Sequence, residues 1–218
     1  MAIPQAVSKS LIASSATVVA ASQTPVSGTA LALVGGGTVT LDTARRVLLT
    51  YGNEGSARTM VITGLNQKNG SVITETLAIP SGGSGTVATA QDFYTVSSAL
   101  PLGGGWTAAV TVGTNGVGSS PWKNVNYHVT PVNIGLGCVV TGTVNYTVEF
   151  TYDRPWGDTW TQNQPNTVVP TAWPHAVLQA LAANGQGDFS DPIAAWRLTI
   201  NSGTGSVTAT AIQGAIRD

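Results

Sequence analysis

Ten carboxylates, two histidines and one cysteine are the side chains here with obvious acid–base, metal-binding or nucleophilic chemistry. The acids are Asp42, Glu54, Glu75, Asp92, Glu149, Asp153, Asp158, Asp188, Asp191 and Asp218. Glycoside hydrolysis needs two carboxylates about 5–10 Å apart across a sugar. Glu149 and Asp153 flank the expected end of a strand, and Asp158 follows in the next loop. Loop acids of any β-protein offer such pairs by chance, so no catalytic residue is assigned. His128 and His175 lie far apart and lack a ligand-spaced partner. "DFSD" (188–191) lacks the regular acid spacing of a dedicated calcium loop. No metal ligand and no cofactor is expected. Cys138, in "GLGCVVTG", cannot form an internal disulfide and reads as a small buried hydrophobe. "VGGGTVT" (34–40) and "GTNGVGSS" (113–120) lack the lysine and the strand–helix setting of a phosphate loop. No G-x-S-x-G elbow occurs. The chain is not expected to be an enzyme.

The elements that position these residues are read from composition and periodicity. The chain has 218 residues and a net charge of −1, with only 9% charged residues, where soluble domains average about 25%. Its 42% apolar content and abundant Val, Thr, Ser and Gly point to packed strands rather than disorder. Arg45–Arg46 is the only adjacent basic pair. No basic stripe invites nucleic acid, and no apolar run approaches the about 20 residues of a membrane span. "MAIPQAVSKSLIASSATVVAASQ" puts Lys9 before a mildly apolar run, but Ser10, Ser14, Ser15 and Thr17 dilute it, so no signal peptide is expected. So charge-poor a surface suits burial against other subunits, and a homo-oligomer is expected.

Strand signals recur at short intervals: 46–51, 58–65, 71–79, 92–100, 107–114, 124–135, 138–153, 194–201 and 206–213. Asn69–Gly70 is a strong hairpin turn. In "SVITETLAI", Val72, Thr74, Thr76 and Ala78 alternate with Ile73, Glu75, Leu77 and Ile79. "HAVLQALAAN" (175–184) is the one expected helix, with Pro174 in its first turn and Gly185 as its stop. The expected fold is therefore all-β: an antiparallel β-sandwich, jelly-roll-like, with one short helix. An extended N-terminal arm (1–30) precedes a single domain (31–218).

Within that domain, residues 152–175, "YDRPWGDTWTQNQPNTVVPTAWPH", gather Trp156, Trp160 and Trp173 among Pro155, Pro165, Pro170 and Pro174. Three roles fit: a segment plugging its rings into the core, a stiff patch docking on a neighbour, or a sugar-stacking platform. Tryptophan is enriched at interface hot spots, and proline lowers the ordering cost of docking. A mixture is expected, with Trp173 buried and Trp156 exposed. Ile3, Pro4, Leu11, Trp122, Trp156, Trp160 and Trp173 are the candidate partner-contacting residues.

"VITGLNQKNGSVITETLAIPSGGSGTVATAQDFYTVSSA" (61–99) resembles a pattern found in structural proteins of tailed bacteriophages. The matching residues are Ile62, Thr63, Gly64, Asn69, Gly70, Glu75, Leu77, Ile79, Phe93, Thr95, Val96 and Ser98. The end "WRLTINSGTGSVTATAIQGAI" (196–216) is similar to the ends of such proteins. The resemblance implies a virion component, such as a capsid decoration (cement) protein on the capsid surface. Its partners would be the major capsid protein or other virion proteins. A neck, tail or fibre-base component and a carbohydrate-binding adsorption module remain the alternatives.

Overall fold

Alternation of apolar and polar side chains is what turns most of this chain into strands, because each sheet has one face to bury. The computed structural model describes residues 4–67, 70–126, 132–153, 155 and 170–214. These form sixteen strands, numbered here in chain order. They are β1 (Pro4–Ser10), β2 (Ala20–Gln23), β3 (Val39–Tyr51), β4 (Arg58–Leu65), β5 (Val72–Ile79), β6 (Gly85–Val96), β7 (Ser98–Leu102) and β8 (Val110–Thr114). Then follow β9 (Gly118–Ser119), β10 (Lys123–Asn124), β11 (Ile134–Thr141), β12 (Val144–Thr151), β13 (Trp173–Pro174), β14 (Gly185–Phe189), β15 (Ala195–Gly203) and β16 (Ser206–Gln213). Every pairing is antiparallel. The all-β expectation therefore holds.

The division expected at residue 30 does not. The chain forms two compact units: unit 1 is Met1–Ile12 with Val117–Asp218, and unit 2 is Ala13–Gly116. What reads as an N-terminal arm is split between them. Pro4–Ser10 pairs along its whole length with β16, whereas β2 pairs with β8 of unit 2. Unit 2 is thus inserted between the first and second strands of unit 1. Its ends meet, because Thr114 N donates to Ser15 O at 2.8 Å.

Unit 1 has one sheet in the order β1-β16-β11-β14 and another in the order β10-β15-β12-β13, with β9 also on β15. Leu136 and Cys138 of β11, Val207 and Ala209 of β16, Tyr146 and Val148 of β12, and Trp196, Leu198 and Ile200 of β15 share one core. Each large side chain so buried contributes about 1.5–3 kcal/mol. The turns β11–β12 and β15–β16 carry the chain from one sheet to the other and rest on each other: Gly205 N donates to Thr143 O at 2.8 Å. Gly203 has φ 94°, and a Cβ there would lie 2.4 Å from Thr143 O, so only glycine fits.

Unit 2 stacks the sheets β2-β8-β3-β6 and β5-β4-β7. Val47, Leu49, Met60, Ile62, Phe93 and Val112 are among its fully buried side chains. The expected strands 58–65 and 206–213 coincide with β4 and β16, and β5 shows the expected alternation. The expected long strand 138–153 is two strands broken at Gly142.

No helix forms at 175–184. That segment continues from β13 along the same edge of β12: His175 N donates to Val148 O, Val148 N to Leu178 O, and Tyr146 and Leu181 exchange bonds of 2.8 and 2.9 Å. The His175 Nδ1 accepts the amides of Val177 and Leu178, each at 3.1 Å. Backbone groups committed to a neighbouring strand cannot close helical turns, and Ala180 has φ 53°, outside the right-handed helical region.

Candidate interaction surface

Among the described residues, the exposed large aromatic side chains lie at the end of β12. Tyr146 and Val148 point into the core of unit 1, and Phe150, two residues on, is only half-buried against it. Continuing the alternation brings Tyr152 to the same side beyond the strand's end. Across the ladder, Phe150 faces Trp173 of β13. The Phe150 and Tyr152 rings meet edge-on at 5.5 Å. Phe150 also meets Phe189 at 5.4 Å, and Phe189 meets His175 at 5.0 Å. Edge-to-face contacts of this kind hold rings in fixed orientations. Tyr152 is 59% exposed and Trp173 51%, with Val177 exposed on the adjoining segment.

The base of the Trp/Pro-rich stretch is fastened beside this edge. Asp153 Oδ2 accepts Thr171 N at 2.7 Å, Asp153 N donates to Thr151 Oγ1 at 3.0 Å, and Pro155 is buried. The backbone on both sides of the stretch is thereby held together, with the exposed rings next to the clasp.

Glu149 and Asp153, the carboxylates that invite a catalytic reading, each have a partner. Glu149 Oε2 accepts Arg197 Nε at 2.7 Å and the Thr199 hydroxyl at 2.7 Å. The Arg197 guanidinium lies over the Trp122 ring, 4.6 Å from its centroid. This half-buried chain of Trp122, Arg197, Glu149 and Thr199 fastens the 119–124 segment to β15 and β12, aided by the contact of 2.9 Å between the Thr199 and Ser119 hydroxyls. Asp153 holds the clasp. His175 is buried, bonding two amides through Nδ1 and standing 3.0 Å from Asp188 O through Nε2. Among the described residues no group of three or more His, Cys, Asp or Glu side chains could hold a metal.

Of the residues singled out in the sequence, Trp173 is brought to the aromatic edge, exposed where burial is expected, because β13 is the outermost strand of its sheet and has no strand beyond it among the described residues. Trp122 is half-buried under Arg197. Pro4 is exposed at the start of β1. Leu11 is 2% exposed within the core of unit 1, so its side chain is taken up by its own unit. Ile3, Trp156, Trp160, Asp158 and His128 lie outside the described residues. Tyr152 and Phe150 are absent from the sequence-derived set. The alternation Tyr146, Val148, Phe150, Tyr152 carries the signal that finds them.

What this surface offers is two exposed rings with polar handles, one of them, Tyr152, held edge-on by Phe150. Exposed rings of this kind supply area that an apolar or ring-bearing surface could cover. No protein-family model, curated protein or solved structure matches the chain. No helix among the described residues is long and apolar enough to cross a membrane.

Proposed function

We propose that the chain is a non-enzymatic structural protein of a bacteriophage virion, a capsid decoration protein that stabilises the head by bridging neighbouring capsid subunits. The observation that carries this reading is the exposed aromatic edge of unit 1, Tyr152 with Trp173, on a chain otherwise so poor in charge. Tyr152 is held edge-on by Phe150 and Trp173 sits on backbone paired with β12, so both lose less freedom on docking than side chains of a free loop. The resemblance of residues 61–99 and 196–216 to phage structural proteins supports the virion as the setting. The partner would be the major capsid protein or another virion protein. Bridging falls to the aromatic edge, since Pro4–Ser10 already completes the sheet of its own unit.

The test is a binding titration of the purified chain on empty phage heads, read by co-sedimentation. Saturable binding over the whole shell is expected. Trp173→Ala should weaken it at least ten-fold, about 1.4 kcal/mol. Binding confined to one vertex would replace the decoration reading with a neck or tail role. Indifference to heads together with binding to cell-wall glycans would replace it with an adsorption module, for which Tyr152 and Trp173 are suitably exposed rings.

A further inference from the structure

A sheet ends in backbone groups that need partners, and unit 2 has four such edges: β2, β6, β5 and β7. Two have groups bonded by identified partners, and the third, β2, is short and irregular. At β7, Gly28 N donates to Pro101 O at 2.8 Å and Leu31 N to Ala99 O at 2.9 Å. β2 spans only four residues and pairs irregularly with β8, and its Gln23 side chain holds Ala32 beside it, donating to Ala32 O and accepting Ala32 N, both at 2.9 Å. Val34 N donates to Val19 O, the residue before β2, at 2.9 Å. On β6, the Glu75 carboxylate accepts the amides of Ala90 and Gln91 at 2.6 and 3.0 Å.

The fourth edge, β5, is different. Among the described residues it pairs with β4 alone, residue for residue over its eight positions and without a bulge. Natural edge strands are guarded by lysine, proline, bulges or a covering segment. β5 contains no Lys, Arg or Pro, and its one charged residue, Glu75, is spent on β6. Its outward residues Val72, Thr74, Thr76 and Ala78 are neutral and exposed. At about 3.4 Å per residue the edge is about 27 Å long.

We infer that the outer edge of β5 pairs antiparallel with β5 of a second copy of this chain. Two features select a second copy over a foreign strand. An antiparallel strand edge related by a two-fold axis is complementary to itself. Two such edges also meet without charge repulsion, and threonines brought opposite one another add cross-strand hydrogen bonds. One strand pair buries less than the roughly 1,200–2,000 Å² of a standard stable interface, so the dimer forms in a concentration-dependent way. The inference deepens the self-association that belongs to the virion reading, but it is measured without heads, so either can fail alone.

Sedimentation velocity of the full chain, from micromolar to submillimolar concentration, tests it. A monomer–dimer equilibrium is expected. The double variant Val72→Lys/Thr76→Lys should raise the dimer dissociation constant at least ten-fold, while Val139→Lys, an equally exposed strand position in unit 1, leaves it unchanged. Amides of Thr74–Ala78 should gain hydrogen-exchange protection as concentration rises, which reads the edge in the unaltered protein. A monomer at every concentration overturns the inference. So does a dimer that is indifferent to the lysines, or one that Trp173→Ala abolishes.

Discussion

Glu54 is a carboxylate with 0% of its surface exposed, in a chain with few charges to spare. It accepts Ala108 N at 2.9 Å and both the amide and the hydroxyl of Thr107 at 3.2 Å, with Arg58 Nε at 3.7 Å. Removing one partner of such a cluster strands the others in a buried site. Glu54→Ala should therefore lower the stability of unit 2 by about 3 kcal/mol, and Glu54→Gln by less, as read by urea unfolding. In unit 1, burial pushes the Cys138 thiol above its ordinary 9.0. Burial, and then the neighbouring Cys138, push the Tyr146 hydroxyl above its ordinary 10.0. As pH rises the unfolded chain gives up these protons first, so the folded state keeps its full advantage below about pH 9 and loses it above. Unfolding free energy should fall between pH 9 and 11, with a shallower slope in Tyr146→Phe. Equal slopes in the two proteins would contradict the coupling. That Cys138 is a buried hydrophobe is legible from its small-residue, β-branched surroundings. The burial of Glu54 is not, because the donors that satisfy its carboxylate, at Thr107 and Ala108, lie more than fifty residues away.

At the scale of elements, the segment 175–184 separates pattern from structure most clearly. Its Leu178 and Leu181, three apart, carry the spacing of a helix, yet the same spacing serves a strap that dips twice toward the core beside β12. Ala180→Gly discriminates the two. A helix interior would lose about 1 kcal/mol. A residue at positive φ is relieved by glycine, so unit 1 should be unchanged or stabilised by up to about 1 kcal/mol, measured by denaturant midpoint. At Gly64 the opposite holds: an added Cβ would sit 1.8 Å from Thr95 O. Gly64→Ala forces the backbone of β4 or β6 to move, and a loss of about 3 kcal/mol or more is expected in the same assay. β4, β5 and β16 are legible because apolar and polar residues alternate along them. β1 escapes because one of its inward positions is Lys9, buried beside Val7. β14 escapes because Gly185 and Gly187 take the places where side chains would mark a strand. A Cβ at Gly185 would lie 2.8 Å from Leu178 and Tyr146, and one at Gly187 2.6 Å from His175, so the strap can pack there only against glycine.

The whole chain is an insertion of one β-sandwich unit into another, and length and composition alone do not distinguish this from one larger domain. Each unit has its own core, and the ends of unit 2 meet at Ser15 and Thr114. A fragment spanning residues 13–116 should therefore fold by itself and unfold cooperatively by circular dichroism. A fragment without sharp unfolding would contradict the division. The aromatic edge was half legible: the gathering of tryptophans marks the region, but which rings face outward depends on where β12 ends and on the clasp between Asp153 and Thr171. The most direct test of the proposed role is a cryo-electron microscopy reconstruction of empty phage heads saturated with this protein. Density is expected at regular positions over the shell, with Tyr152 and Trp173 of unit 1 seated on capsid subunits. Heads that stay bare at saturating protein, or bound protein whose aromatic edge faces solvent, would contradict it.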